Sequence, residues 1–108
     1  MIQKLMKALE GMDYKGLAAC FSEKCRYFDY CPSLYGNENY FVYGSDSVEM
    51  FFRNRFVNGY LVVASARVES AVSASFFASY SGPFVYARAE IEEFGENGLI
   101  KKLLVHPA

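Results

Sequence analysis

Tryptophan is absent from this 108-residue chain, histidine occurs once, at His106, and cysteine only three times, at Cys20, Cys25 and Cys31. An odd cysteine count with no secretory signal argues against a disulfide scaffold. A zinc site needs closer cysteine pairs or nearby histidines. No metal and no cofactor are therefore expected, and the thiols read as buried free cysteines. No unbroken apolar run is longer than Tyr60-Leu-Val-Val-Ala64, which is far too short to span a bilayer. The N-terminal Met1-Ile-Gln-Lys-Leu-Met-Lys7 is amphipathic and lacks the apolar core of a signal peptide. Net charge is −1, with no basic stripe to track phosphates, which argues against nucleic-acid binding. The expectation is a soluble cytoplasmic protein that contacts neither nucleic acid nor membrane.

What the chain does have is apolar and aromatic material: 53% hydrophobic residues, ten Phe and nine Tyr. That is ample for one core, and no repeat, linker or low-complexity segment divides residues 1–108, so one domain is expected. Each Tyr carries a large apolar body and a hydroxyl that seeks a partner when buried. Tyr-rich interiors line pockets, although cores and interfaces use them too.

Ile2, Leu5, Met6 and Leu9 recur at helical spacing, and Gly11 stops that helix. Asp13 is placed to cap a second short helix with the face Tyr14, Leu17, Ala18 and Phe21, ending at Ser22-Glu-Lys24. Cys25 to Cys31 alternates as a strand, with Cys25, Tyr27, Asp29 and Cys31 on one face, and Pro32 ends it. A polar loop, Ser33 to Asn39, leads to the short extended piece Tyr40–Tyr43. Ser45 or Asp46, with Glu49, forms a capping-box pattern for a helix whose stripe is Val48, Phe51, Phe52, Arg55 and Phe56. After Asn58-Gly59 everything reads as strand: Tyr60 to Glu69, Val72 to Tyr80, then Phe84–Phe94 and Leu99–His106, joined by a turn at Asn97-Gly98.

Three segments carry a family resemblance: "GMDYKGLAACFSEKCRYFDY", "YGSDSVEMFF" and "IEEFGENGLIKKLLV". In this order and spacing they resemble the nuclear-transport-factor-2-like (NTF2-like) superfamily, in particular its SnoaL-like small proteins. The chain is short for that family, and the loop from Pro32 to Asn39 has no obvious counterpart. The resemblance implies an α+β fold: a cystatin-like cone in which a curved antiparallel sheet wraps around the N-terminal helices, with a pocket at its open end. Members include ketosteroid isomerase, scytalone dehydratase, polyketide cyclases and non-catalytic partners, so function stays open. Members commonly pair through the outer face of the sheet. Leu61, Val63, Ser65, Ser73, Ser75 and Phe77 share a strand face that is small or apolar, which predicts a homodimer covering it.

Asp29 is the sharpest candidate for chemistry, near where SnoaL-like enzymes place a pocket acid. A carboxylate in an apolar pocket has a raised pKa and can exchange a proton near neutral pH. The bland alternative is that it caps the turn before Pro32 or pairs with Arg26 or Arg55. Tyr27, Tyr14 and Tyr43 are candidate hydrogen-bond donors to a ligand carbonyl, or simply packing residues. Arg55 interrupts an apolar stripe beside Phe52; it either meets a ligand carboxylate or Asp29, or snorkels to the helix edge. Ala87 and Ala89 leave room for a ligand if they face inward, with Arg88, Glu90 and Glu92 outside, the register that burial cost favours. His106 is either a proton shuttle beside Asp29 or a surface residue near the terminus. The expected partner is a small, mostly apolar molecule. The alternatives are an acid–base isomerase, cyclase or dehydratase acting on a carbonyl compound, and a non-catalytic dimerisation module.

Overall fold

The computed structural model describes residues 1–108. Two helices come first, α1 (Ile2–Glu10) and α2 (Tyr14–Ala19), followed by strand β1 (Phe21–Asp29). A 3₁₀ turn at Pro32–Tyr35 leads to β2 (Tyr40–Tyr43) and helix α3 (Ser45–Val57). Four strands complete the chain: β3 (Val62–Val68), β4 (Ser73–Ser79), β5 (Phe84–Phe94) and β6 (Ile100–Pro107). They form one six-stranded sheet in the order β2-β1-β6-β5-β4-β3. All neighbours are antiparallel except β1 and β6, which run parallel at the centre.

The helices follow the sequence pattern, with two local corrections. Asp13 caps α2 as expected, its carboxylate accepting from Gly16 N–H at 2.9 Å. The capping box before α3 does not form: Gly44, at φ 90°, is the N-cap and no side chain bonds there. The second helix ends at Ala19, short of Ser22-Glu-Lys24, and Phe21 opens β1. The reason is non-local. Ile100 N–H donates to Cys20 C=O at 2.9 Å, and Phe21 pairs with Ile100, so strand pairing captures residues that helical spacing alone would extend.

One face of the sheet meets the helices and forms the core. Ala87 and Ala89 of β5 are fully buried there, as are Ala74 and Ala78 of β4 and Leu103 and Val105 of β6. Arg88 and Glu90 point outward, in the register favoured on burial cost. Phe52 of α3, Tyr27 of β1 and Phe76 of β4 fill the interior and are at most 2% exposed. Truncating a ring like Phe52 to Ala costs about 3–5 kcal/mol in comparable cores.

Irregularities bend the sheet and change which residues share a face. In β3, two residues, Ser65 and Ala66, lie between Ala64, opposite Phe77, and Arg67, opposite Ser75. Ser65 adopts φ 55°, the left-handed geometry of a β-bulge. Before the bulge Leu61 and Val63 point inward and are buried. After it Arg67 shares the outer side with Ser75. The proposed outer row is therefore split: Leu61 and Val63 belong to the core, whereas Ser73, Ser75 and Phe77 face outward. Further register shifts lie between Phe21 and Arg26 of β1 and between Ile91 and Phe94 of β5. The turn before β6 uses positive φ at Asn97 (61°) and Gly98 (70°), as the Asn-Gly pair predicts.

The bulge makes a direct prediction. Glycine adopts φ 55° without a Cβ penalty, so Ser65→Gly raises stability by about 0.5–1 kcal/mol, while Ser65→Val lowers it by about 1–2 kcal/mol. Urea denaturation of the two variants checks both signs.

Candidate functional site

Asp29 is the last residue of β1, flanked by Tyr40 of β2 and Val105 of β6. Strand alternation turns its side chain into the core, where it is 2% exposed. Both carboxylate oxygens are engaged. Cys31 N–H donates to Oδ1 at 2.9 Å, an Asx-type turn made possible as the chain leaves the strand. The Tyr80 hydroxyl donates to Oδ2 in a short hydrogen bond. Tyr80 immediately follows β4, and Asn37 Nδ2 donates to its carbonyl at 3.0 Å.

An aromatic cluster surrounds this pair. The Tyr40 ring lies 5.6 Å from Tyr80 and 4.7 Å from Phe51, edge to face. Tyr27 packs against Phe52 at 4.7 Å. Burial pushes the Asp29 carboxyl from its ordinary 3.8 up to about 6, against the opposing pull of the Tyr80 and Cys31 hydrogen bonds. Burial, reinforced by the Asp29 charge, also raises Tyr80 and Tyr27 well above the usual phenol range. Burial pushes Tyr40 up to about 12. All three phenols therefore stay protonated near neutral pH, which keeps Tyr80 a donor.

The open end of the cone holds a depression of about 400 Å³, lined by Asn37, Glu38, Tyr40, Arg55, Tyr60, Tyr80 and Ser81. Tyr40 and Tyr80, 6% and 5% exposed, form its floor. Asp29 lies beneath that floor and does not line the depression. Arg55 forms one wall, its guanidinium carbon 4.2 Å from the centre of the Phe51 ring and 5.5 Å from that of Tyr40.

The structure thus brings together only part of the predicted site. Asp29 and Tyr27 share the buried inner face of β1, and Arg55 lines the depression against Tyr40 without pairing with Asp29. Phe52, Ala87 and Ala89 are fully buried in the core and do not line the depression. Tyr14 packs against the core from α2 without lining the depression. Tyr43 and His106 both project from the outer face, away from the depression, which for His106 is the surface alternative. In β2 the inward residues are Tyr40 and Val42, so Tyr43 is 60% exposed, with its ring 5.7 Å from Phe28. His106 sits opposite Arg88. Its Nε2 lies 2.6 Å from Glu90 Oε2, and its Nδ1 lies 2.9 Å from Pro107 C=O.

Tyr80 and Tyr40 escaped the sequence reading. Tyr80 ended an inward-facing alternation, so its direction was legible. That it meets Asp29 was not, because β4 and β1 are separated in the sheet by β6 and β5. The three cysteines are buried and unpaired.

No protein-family model and no curated protein matches the chain. Solved structures do resemble it. A candidate ketosteroid isomerase from Kribbella flavida is 18% identical, with a TM-score of 0.61 over 99% of this chain and 74% of its own. An NTF2-like protein of unknown function from Cytophaga hutchinsonii is 12% identical, with a TM-score of 0.67 over 99% and 86%. A SnoaL-like protein of unknown function from Burkholderia thailandensis is 14% identical, with a TM-score of 0.59 over 98% and 89%. At these identities the likeness shows the fold, an NTF2-like and cystatin-like α+β cone.

The buried acid makes stability depend on pH. The folded pKa of Asp29 lies above the unfolded one, so the folded state holds the extra proton between about pH 4 and pH 6. Its stabilising contribution is complete below about pH 4 and is lost as pH rises past 6, a change on the order of 3 kcal/mol. Asp29→Asn removes this titration. Urea denaturation from pH 4 to 7.5 is expected to show the variant gaining on the wild type by that amount, whereas parallel profiles would mean that Asp29 titrates normally.

Proposed function

We propose that this chain is a small-molecule-binding NTF2-like domain that takes its ligand at the mouth of the cone without acid–base turnover. One observation carries the reading: Asp29, the residue best suited to proton transfer, has both oxygens occupied and lies beneath Tyr40 and Tyr80. A general base must come within about 3 Å of the proton it removes, directly or through one water. Here the chain's own phenol occupies that position. The open depression has the mixed aromatic and polar lining of a ligand site. Its lining is more polar than a mostly apolar ligand requires. The likeness to a candidate ketosteroid isomerase carries the fold and leaves the chemistry to these residues.

The outer face of the sheet supports a second reading, a homodimer. Phe41, Tyr43, Phe77, Tyr86 and Phe84 are each between 44% and 60% exposed on or beside it, an apolar area larger than isolated surface rings account for. Most of the charges between these patches are paired within the chain, Arg26 with Glu93, Arg88 with Glu69 and Lys102 with Glu92, and Glu90 lies against the His106 ring; Arg67 is the cation of this side without a carboxylate partner. A face neutralised in this way is covered at lower electrostatic cost than one of unpaired charges. A second copy, bringing the same aromatics, is the occupant that fits it.

Two measurements test these readings. Titration of an aromatic fragment set, followed by amide NMR, is expected to shift Tyr40, Tyr60, Tyr80 and Ser81, with Asp29→Asn changing affinities by less than about twofold. Turnover of a carbonyl compound that disappears in Asp29→Asn would overturn the non-catalytic reading. Light scattering at about 100 µM is expected to give twice the monomer mass, and a monomer for Phe77→Glu combined with Tyr86→Glu; a monomeric wild type removes the dimer.

A further inference from the structure

Three of the eleven Lys and Arg side chains, Arg26, Arg88 and Lys102, pair with carboxylates. Among the others, Arg55 alone is not fully exposed. It is half-buried on the Phe51 and Tyr40 rings, inside the depression at the open end. A cation in such a position ordinarily has an anion beside it, because partial burial removes water that would otherwise solvate it. None is present within the chain. Arg55 donates from Nη1 to the neighbouring Asn54 Oδ1 at 2.6 Å and lies against the Tyr40 hydroxyl, but no carboxylate of the chain meets its planar fork. Stacking on Phe51 also holds the guanidinium in one plane, which lowers the entropic cost of meeting a planar partner.

We propose that the ligand is a small planar carboxylic acid, its carboxylate gripped by the Arg55 fork and its flat apolar body laid along Tyr40, Tyr60 and Tyr80. This rests on the reading of the open end as a ligand site and names the chemistry that site selects. A carboxylate matches the guanidinium bidentately, through two parallel N–H···O bonds. The tyrosine rings that line the space suit an unsaturated or aromatic body. A volume of about 400 Å³ holds a molecule of one or two rings. Glu38 also lines the depression; it is exposed and makes no ion pair with Arg55. Its negative charge opposes an anionic ligand, so it sets the affinity rather than the class.

The test compares benzoate, benzyl alcohol and inorganic phosphate by NMR titration of the full chain. Benzoate is expected to shift the resonances of Arg55, Tyr60, Tyr80 and Ser81, with benzyl alcohol about tenfold weaker or more. Arg55→Gln is expected to lose about tenfold in benzoate affinity, Arg55→Lys to keep part of it, and Glu38→Gln to tighten it at least about twofold. The three variants change side chains outside the sealed core, and if Arg55→Gln fails to fold, the acid–alcohol comparison and Glu38→Gln still decide. Equal binding of benzoate and benzyl alcohol, or an Arg55→Gln variant that binds benzoate like the wild type, overturns the carboxylate while leaving a ligand site. Phosphate binding as tightly as benzoate at the same resonances overturns the planar acid in favour of a simple anion. No shift with any of the three at about 20 mM overturns both the carboxylate and the ligand site.

Discussion

A carboxylate removed from water costs several kcal/mol unless hydrogen bonds replace the lost solvation. Asp29 meets this constraint with no cation in contact. One donor is local, the Cys31 amide two residues ahead. The other is the Tyr80 hydroxyl, 51 residues along the chain. That second bond ties the end of β1 to the end of β4 across the mouth of the cone. Tyr40, Phe51 and Arg55 stack in sequence on the surface the pair creates. Without the Tyr80 bond the acid would be left half satisfied and the floor of the depression would lose its anchor.

The same bond separates two roles that one residue could have combined. A raised pKa near neutrality is a common mark of an acid–base catalyst, and Asp29 has one. Here burial raises it, while hydrogen bonds from the protein itself occupy the positions a substrate would need. The perturbation then belongs to structure and to pH-dependent stability. What faces the open end is Arg55, the exposed Tyr60 ring and the edges of Tyr40 and Tyr80.

The outer face follows a different rule. Alternation places Phe41, Tyr43, Phe77 and Tyr86 on the side opposite the helices, where nothing in the monomer covers them. Their neighbours are charged and, Arg67 apart, mostly paired within the chain. The result is a closed interior and an exterior on which exposed rings alternate with mostly paired charges.

Much of the architecture was legible before any coordinates. Apolar spacing in Ile2, Leu5, Met6 and Leu9, the Asp13 cap, the turn at Asn97-Gly98 and the inward face of Ala87 and Ala89 are local properties, governed by periodicity of 3.6 or 2 and by turn chemistry. The inward direction of Asp29 belongs with them, because a strand's alternation is set by its own residues. The bulge at Ser65 and the early end of α2 were not legible. Each depends on which strand lies alongside and in what register, and a one-residue shift exchanges the faces. The meeting of Asp29 with Tyr80 depends on a strand order that no local pattern encodes. The sequence by itself determined the elements, most of their inward faces and the family of fold. Only the tertiary structure decided that the acid is sealed and the arginine left open, because both outcomes are set by contacts between segments far apart in the chain.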